Sequence, residues 1–587
     1  MPDPQLALTA RVREALSAAF GPSYADTDPV IRPSQFADLQ ANVAMSLVKP
    51  LTAERGEKQN PRNIANEIVA KIDKGDLIDT VEVSGPGFIN LTLRDDWIAG
   101  QAQQALADPR LAVPKTDAAR RVVVEYSSPN VAKEMHVGHL RTTIVGDALA
   151  RILGFLGHEV IKDNHVGDWG TPFGMLIEHL LDIGEEKAAD DDSSVSDLTA
   201  FYQAARRKFD GDEAFAARAR SRVVRLQAGD PETLRLWQVL VDVSKRYFNT
   251  VYQRLGVMLT DDDIKGESFY NDLLAPTVQE LEDKGIAVVS DGALCAFPPG
   301  FTGREGEPLP VILRKSDGGY NYSTSDLATI RYRVDTEHVN RMIYVVGAPQ
   351  ALHFQMAFAV ARMAGWLGDE VQAEHAQIGN VLGTDGKILR TRAGGTVKLS
   401  ELLDEAVERA GERFDAMEHQ EEFDAATRDE IVEKVGIGAV KYADLSVAID
   451  SEYIFDIDRM TSFNGKTGPY LQYATVRIRS IFRRGGVDPD SVTGPIVIGH
   501  EAERALALKL LGFGTVVEQS GETSEPHRLA GYVFELAQAY TAFFENCPVL
   551  KAPDDETKAS RLALCAATLH TLTTGLDLLG IPVPERM

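Results

Sequence analysis

The stretch Ser127-Ser-Pro-Asn-Val-Ala-Lys-Glu-Met-His-Val-Gly-His139 decides the fold of this chain through what stands on either side of it. Just before it runs Arg121-Val-Val-Val-Glu-Tyr126, a short apolar segment of the kind that fills a central parallel strand. Just after it, Leu140, Ile144, Ala148, Ile152 and Leu156 recur at helical spacing. Gly157 closes that helix, and Glu159-Val-Ile-Lys-Asp163 resumes as a strand. Strand, helix and strand in that order predict a βαβ unit of a parallel α/β sheet. The quoted stretch opens the helix, where unpaired backbone N–H groups and the helix dipole favour phosphate. His136 and His139 lie three apart, so both can face one ligand there, and Gly138 lets a nucleotide approach the backbone closely. The other reading is two histidines that cap the helix or sit on its surface. Zinc is disfavoured, because no third ligand is near in sequence.

Further out, Met342-Ile-Tyr-Val-Val346 and Ala376-Gln-Ile-Gly-Asn-Val-Leu382 are predicted strands of the same sheet. The long interval before them implies an insertion at roughly 187–310, opening with an acidic stretch over 188–194. Upstream, Asp108 to Ala119 reads as a linker. Before the linker stand an amphipathic opening helix and a helical stretch around Pro61 to Lys74. Two strands, Thr80–Val83 and Phe88–Leu93, flank a Gly85-Pro-Gly87 turn. After about residue 400 the pattern is helical almost to the end, and there is no internal repeat. The length of 587 residues suits three or four domains. With 44% hydrophobic and 25% charged residues the composition is that of a globular enzyme, and no run reaches the ~18–20 apolar residues of a membrane span. The opening Met1-Pro-Asp-Pro-Gln-Leu6 has no basic segment leading into an apolar one, so the expected location is cytoplasmic. Cys295, Cys547 and Cys565 are too far apart for a disulfide framework or a zinc knuckle and read as buried or inert thiols. A net charge of −26, taken alone, argues against a nucleic-acid partner. Local basic tracks offset that, and one is visible at Arg477, Arg479, Arg483 and Arg484.

The Ser127–His139 stretch resembles the HIGH signature of class I aminoacyl-tRNA synthetases. Its Ser-Ser-Pro-Asn-x-Ala-Lys prefix resembles the arginine-specific branch, as does His165-Val-Gly-Asp-Trp-Gly170 with Phe173-Gly174. The resemblance covers nearly the whole chain. It implies an α/β Rossmann-like class I synthetase catalytic domain at 113–400 carrying the insertion. It further implies an N-terminal α+β tRNA-binding domain at 1–112, a helical connector at 401–455 and a C-terminal all-α anticodon-binding domain at 456–587. The implied reaction activates L-arginine with ATP and loads it onto tRNA, with Mg2+ accompanying ATP and no zinc. The implied partners are arginine, ATP and tRNA, without a membrane, and the chain is expected to be a monomer. Two alternatives stay open: a catalytically inactive synthetase-like RNA-binding protein, and a paralogue supplying charged tRNA to a biosynthetic pathway. Intact His136, Gly138, His139 and Asp326 weigh against the first.

The same resemblance assigns candidate residues. His136, Gly138 and His139 would serve catalysis. The mobile KMSKS signature is missing; at its place stands Gly383-Thr-Asp-Gly-Lys-Ile-Leu-Arg-Thr-Arg-Ala-Gly-Gly395, where Lys387, Arg390 and Arg392 are the available cations. Arginyl enzymes lacking the signature lysine resemble one another in carrying a lysine at the position of Lys133. They also resemble one another in needing tRNA for pyrophosphate exchange. An arginine substrate asks for a carboxylate opposite its guanidinium. Tyr322 and Asp326 in Tyr320-Asn-Tyr-Ser-Thr-Ser-Asp326 resemble the family's Tyr-x-x-x-Asp element, although Asp326 by itself reads as a helix N-cap. Gln350 fits the substrate-binding glutamine, and Glu125, Asn130 and His139, with Ser128 and Pro129 beside Asn130, would complete the pocket. For tRNA, Phe88 would stack on a D-loop base and Asn90 would hydrogen-bond it; the other reading is a hairpin with Phe88 in the core. Gly468–Ser480 and Leu579–Met587 resemble the anticodon-binding domain. There Tyr473, Arg477 and Arg479 would touch tRNA, unless the tyrosines at helical spacing are core.

Overall fold

The computed structural model describes residues 3–184, 198–390, 396–417 and 423–587. They form two compact units. One joins Lys115–Gln472 with Ser520–Ala530 and Leu576–Met587; the other joins Met1–Pro114 with Tyr473–Gln519 and Gly531–Gly575.

The larger unit is built on a four-stranded parallel sheet in the order Gln372–Ile378, Arg341–Gly347, Arg121–Glu125, Glu159–Asp163. Val122, Val123 and Val124 are fully buried, as an interior strand covered on both faces requires. The helix Val137–Phe155 makes the first crossover. It packs so closely that a Cβ on Gly146 would lie 2.2 Å from Cβ of Tyr126. The chain runs outward on one side of Arg121–Glu125 and later returns on the other. The direction of winding therefore switches between Arg121–Glu125 and Arg341–Gly347, and ligands of open α/β sheets bind in the crevice at such a switch.

The expected strand Ala376–Leu382 is in fact split. The sheet strand ends at Ile378, and Val381–Leu382 pairs with Tyr453–Ile454 in a separate parallel ladder. Gly379 marks the break: its carbonyl accepts from Arg141 Nη1 at 3.0 Å, and a Cβ there would meet the Ser451 carbonyl at 2.6 Å. Arg141 is buried and also pairs with Asp444 at 3.0 Å, tying the crossover helix to the helix Ala425–Leu445.

The insertion contributes the helices Leu198–Gly211, Glu213–Gln227 and Pro231–Leu255. After them come the helix Asn271–Asp283 and an antiparallel sheet of Ala287–Ser290, Ala293–Ala296 and Val311–Arg314. The acidic stretch expected at 188–194 lies outside the described residues. Beyond the sheet, Leu399–Asp415 and Ala425–Leu445 share a core of Ala410, Phe414, Ile431, Val432 and Val435.

In the smaller unit, Ile31–Pro33, Leu39–Ala41, Phe88–Leu93 and Ile78–Ser84 form an antiparallel sheet in that order. The cross-strand row Ile31, Ala41 and Ile89 is buried in the core, whereas the row Arg32, Gln40, Asn90 and Glu82 lies on the opposite face. The 85–87 turn forms as the sequence predicts. Gly85 and Gly87 take φ of +55° and +140°, and a Cβ on Gly87 would meet the Pro61 carbonyl at 2.7 Å. Its helical residues include Pro4–Phe20, Asp95–Ala107 and Glu501–Leu510, together with 531–546 of the helix His527–Asn546 and 555–575 of the helix Asp555–Leu578. Among the described residues no helix is long and apolar enough to cross a membrane.

Candidate active site

The loop 126–136 leaves the carboxyl end of the first sheet strand in an unusual conformation. Ser127, Ser128 and Ala132 all have φ between +48° and +71°, a region that costs a side-chain-bearing residue on the order of 1–3 kcal/mol. Two sets of partners hold it there. From the end of Glu159–Asp163, Asn164 Oδ1 accepts from Ser128 N at 3.0 Å. Next to it, Val131 N donates to the Gly167 carbonyl at 3.0 Å and Gly167 N to the Pro129 carbonyl at 3.1 Å. A Cβ on Gly167 would sit 2.3 Å from Asn130 Oδ1, so the His165–Gly170 stretch is the close backbone partner of Ser127–Lys133. From the other side the insertion helix Pro231–Leu255 supplies hydroxyls. Ser244 Oγ accepts from Ala132 N at 2.9 Å, Tyr247 from Met135 N at 3.2 Å, and the Tyr252 hydroxyl lies 2.7 Å from Ser127 Oγ. These three were not singled out from the sequence. Their only signal there is hydroxyls on the buried face of an amphipathic helix.

The capping reading of the histidine pair holds. His136 is the N-cap of Val137–Phe155: its Nδ1 accepts from Gly138 N at 3.1 Å, and His139 Nδ1 accepts from His136 N at 3.0 Å. With both Nδ1 atoms receiving backbone N–H groups, each neutral ring carries its proton on Nε2 and presents it as a donor. Burial holds the rings neutral. It lowers His136, helped by Lys133, and takes His139 down to about 3, helped by His136. Gly138 is required by the cap itself, since a Cβ would stand 2.8 Å from Cε1 of His136. The helix start therefore offers backbone and imidazole N–H donors to an anion.

A second group of candidate residues is acidic. Asp326 does not cap its helix: Asn321 does, accepting from Tyr322 N at 2.9 Å, because the helix Tyr322–Asp335 starts a turn before Asp326. Asp326 Oδ2 instead meets His353 Nε2 at 2.5 Å, and the His353 ring lies 4.8 Å from that of Tyr322, which is 61% exposed. Glu267, missed in the sequence, is pushed up to about 7 by burial and by the neighbouring carboxylates of Asp168 and Asp326, against the pull of His165. Glu125 is buried, and Arg333 pairs with it at 2.7 Å and with Asp163 at 3.0 Å. Burial raises the Glu125 carboxyl despite that partner. Gln350 is exposed on the turn that follows Arg341–Gly347.

The expected cations stand on exposed segments. Lys133 is exposed, and its ammonium lies 4.4 Å over the ring of Tyr202, while Glu134 pairs with Lys398 at 2.8 Å. Lys387 and Arg390 are exposed on a hairpin closed by Gly383 N to the Lys387 carbonyl at 2.7 Å; Arg392 lies outside the described residues. The chain then returns to the signature loop, Val137 N donating to the Val397 carbonyl at 3.0 Å and Leu399 N to that of Met135 at 2.9 Å. Among the described residues no three His, Cys, Asp or Glu side chains are grouped to hold a metal.

In the smaller unit Asn90 is only 6% exposed, and its amide is engaged by Ser34 at 3.2 Å and Ser84 at 3.0 Å. Phe88 is half-buried. The Arg477 guanidinium lies 5.2 Å from the Tyr473 ring and 5.0 Å from that of Phe544, and Arg479 is half-buried.

Three family models match in succession: the arginyl-tRNA synthetase N-terminal domain at residues 6–93, the class I (R) tRNA synthetase catalytic domain at 101–457, and the DALR anticodon-binding domain at 471–587. The arginine–tRNA ligase of Thermobifida fusca (strain YX) is 62% identical over 587 residues, covering 100% of both chains. That of Frankia casuarinae is 50% identical, covering 98% of each. Among solved structures, the arginyl-tRNA synthetase of Plasmodium falciparum superposes with a TM-score of 0.84 at 28% identity over 100% of both chains. That of Thermus thermophilus gives 0.79 at 25% identity over 99% and 100%. With the crevice, its neutral histidines and its carboxylates in place, these likenesses establish that the chain belongs to the arginyl-tRNA synthetase family of class I.

Proposed function

We propose that this chain activates L-arginine with ATP and transfers it to tRNA through the crevice at the switch point. In the first step an oxygen of the arginine carboxylate attacks the α-phosphorus of ATP, and the bond to pyrophosphate breaks. In the second, a ribose hydroxyl of the terminal adenosine of tRNA attacks the carbonyl carbon and AMP leaves. No covalent enzyme intermediate is needed, so catalysis rests on positioning and on donors aimed at developing charge. His136 and His139 donate through Nε2 to phosphate oxygens at the helix start, beside Lys133, Lys387 and Arg390. Asp326 and Glu267 receive the guanidinium, with Tyr322 against its plane. Glu125, Asn130 and Gln350, set at the ends of adjacent strands, orient the amino and carboxylate groups. Mg2+ enters with ATP and is held through the phosphates. Phe88, Asn90, Tyr473, Arg477 and Arg479 lie on the tRNA side of the reaction, and the enzyme works as a cytoplasmic monomer.

This reading is supported by the helix start capped by two neutral imidazoles, by Asp326 held by His353 beside Tyr322, and by the membership of the chain in the family. The test is aminoacylation of total tRNA with each of the twenty amino acids in turn. Charging with arginine alone is expected. Charging with another amino acid overturns the pocket, and no charging at all would favour an inactive RNA-binding relative.

A further inference from the structure

We infer that Arg333 is a positioning residue for the arginine substrate: it stands between the neighbouring carboxylates of Glu125 and Asp163 and leaves one negative charge on Glu125 for the substrate's ammonium group. The inference rests on the reading above, in which Glu125 meets the amino group. Asp163, Glu125 and Tyr344 form one row across three parallel strands, Glu125 pairing with Asp163 on one side and with Tyr344 on the other. Such partners share a face of the sheet, with strands roughly 4.8 Å apart. Two of the three are carboxylates taken out of water, Asp163 fully and Glu125 to 6% exposure.

The guanidinium of Arg333 is itself fully buried. Its Nη2 lies 2.7 Å from Glu125 Oε2 and 3.0 Å from Asp163 Oδ2, and its central carbon lies 5.0 Å from the centre of the Tyr344 ring. Among the described residues neither carboxylate has a second cation within ion-pair distance, and the Asp163 carboxylate accepts no hydrogen bond. The row is therefore one positive charge short. A buried charge without a partner is costly, and an ammonium group brought to Glu125 supplies the missing one. Burial raises the Glu125 carboxyl and Asp163 adds to it, while Arg333 and His165 pull it down.

Arg333 is delivered by the helix Tyr322–Asp335, whose first turns carry Tyr322 and Asp326. Asp326 and Arg333 stand on one face of that helix, about two turns apart. One helix thus offers a carboxylate to the guanidinium end of the substrate and, through Arg333, holds the carboxylate meant for the other end.

The experiment measures the arginine KM of wild type, Arg333→Gln and the double variant Arg333→Gln/Asp163→Asn. The arginine analogue that lacks the α-amino group serves as a competitive inhibitor. Arg333→Gln leaves two adjacent carboxylates without a cation, so they share a proton that the ammonium group has to displace. Its arginine KM should rise about tenfold or more and recover as pH rises, while the inhibition constant of the analogue stays within about twofold. The double variant returns the row to a single negative charge and should bring the arginine KM back to within about threefold of wild type. An arginine KM that rises in step with the inhibition constant overturns the proposal, because Arg333 then only seats the helix that carries Tyr322 and Asp326. So does an unchanged KM in Arg333→Gln, or a double variant impaired more than Arg333→Gln. Where Arg333→Gln does not fold, the double variant decides, since it buries one carboxylate fewer: a near-wild-type arginine KM upholds the proposal and a raised one overturns it. Glu125→Gln tests the underlying reading separately. An unchanged arginine KM there shows that the ammonium site lies elsewhere, whatever Arg333 does.

Discussion

On the proposed reading Asp326 and Glu267 share the recognition of a guanidinium, and each makes a separate measurable claim. Asp326 is already met by His353 at 2.5 Å, so its carboxylate is oriented before substrate arrives. Asp326→Ala should raise the arginine KM about tenfold to over a hundredfold, the equivalent of a charge-assisted bond of roughly 1.5–3 kcal/mol, while the ATP KM stays put. An unchanged arginine KM would place the pocket elsewhere. Glu267 makes a claim about protons. Burial, and then Asp168 and Asp326, push its carboxyl up to about 7. An arriving guanidinium favours the ionised form, so arginine binding should release a proton below about pH 7. Affinity should then strengthen as pH rises through 7 and level off above it. Calorimetry at pH 6.5 in two buffers of different ionisation heat counts the proton directly, and identical heats would refute the coupling. Glu267→Gln should flatten the profile.

At the scale of the element, the signature loop is the piece under strain, and the insertion helix Pro231–Leu255 is what keeps it in place through Ser244, Tyr247 and Tyr252. Lys133 belongs to that loop. Its ammonium now rests over Tyr202, an exposed cation–π contact worth about 0.5–1 kcal/mol, which is small enough for a phosphate to outbid. Lys133→Ala should therefore lower adenylate formation on the order of 10²–10³-fold, about 3–4 kcal/mol, with arginine affinity nearly intact. Tyr202→Leu, which only frees the ammonium, should change little. Wild-type adenylation by Lys133→Ala in single turnover would return the role to Lys387 and Arg390.

At the scale of the whole molecule, a protein of net charge −26 has to present local positive surface to a polyanion, and Lys133, Lys387 and Arg390 offer cations on exposed segments. Lys387 and Arg390 sit on a solvent-facing hairpin. Exchange of pyrophosphate into ATP should accordingly stay slow with arginine and ATP alone and rise sharply once tRNA is added, as the family resemblance implies. Fast exchange without tRNA would count against a tRNA-ordered site.

The sequence by itself determined the features that arise from neighbouring residues. The βαβ unit follows from an apolar run, a helical period and a second run, and the 85–87 turn follows from glycines that must take positive φ. The histidine pair at the helix start was legible for the same reason, since capping is a contact between residues two and three apart. Tertiary structure alone decided which distant groups meet. Arg333 pairs with Glu125 across 208 positions and Tyr252 meets Ser127 across 125, while the Asp326 carboxylate helps to raise that of Glu267 in the insertion. The same packing moved the helix cap from Asp326 to Asn321 and broke the last strand at Gly379, where buried Arg141 and the Ser451 carbonyl claim the backbone. Periodicity reports which face of an element is buried. What that face is buried against depends on the arrangement of the other elements, and no local pattern encodes it.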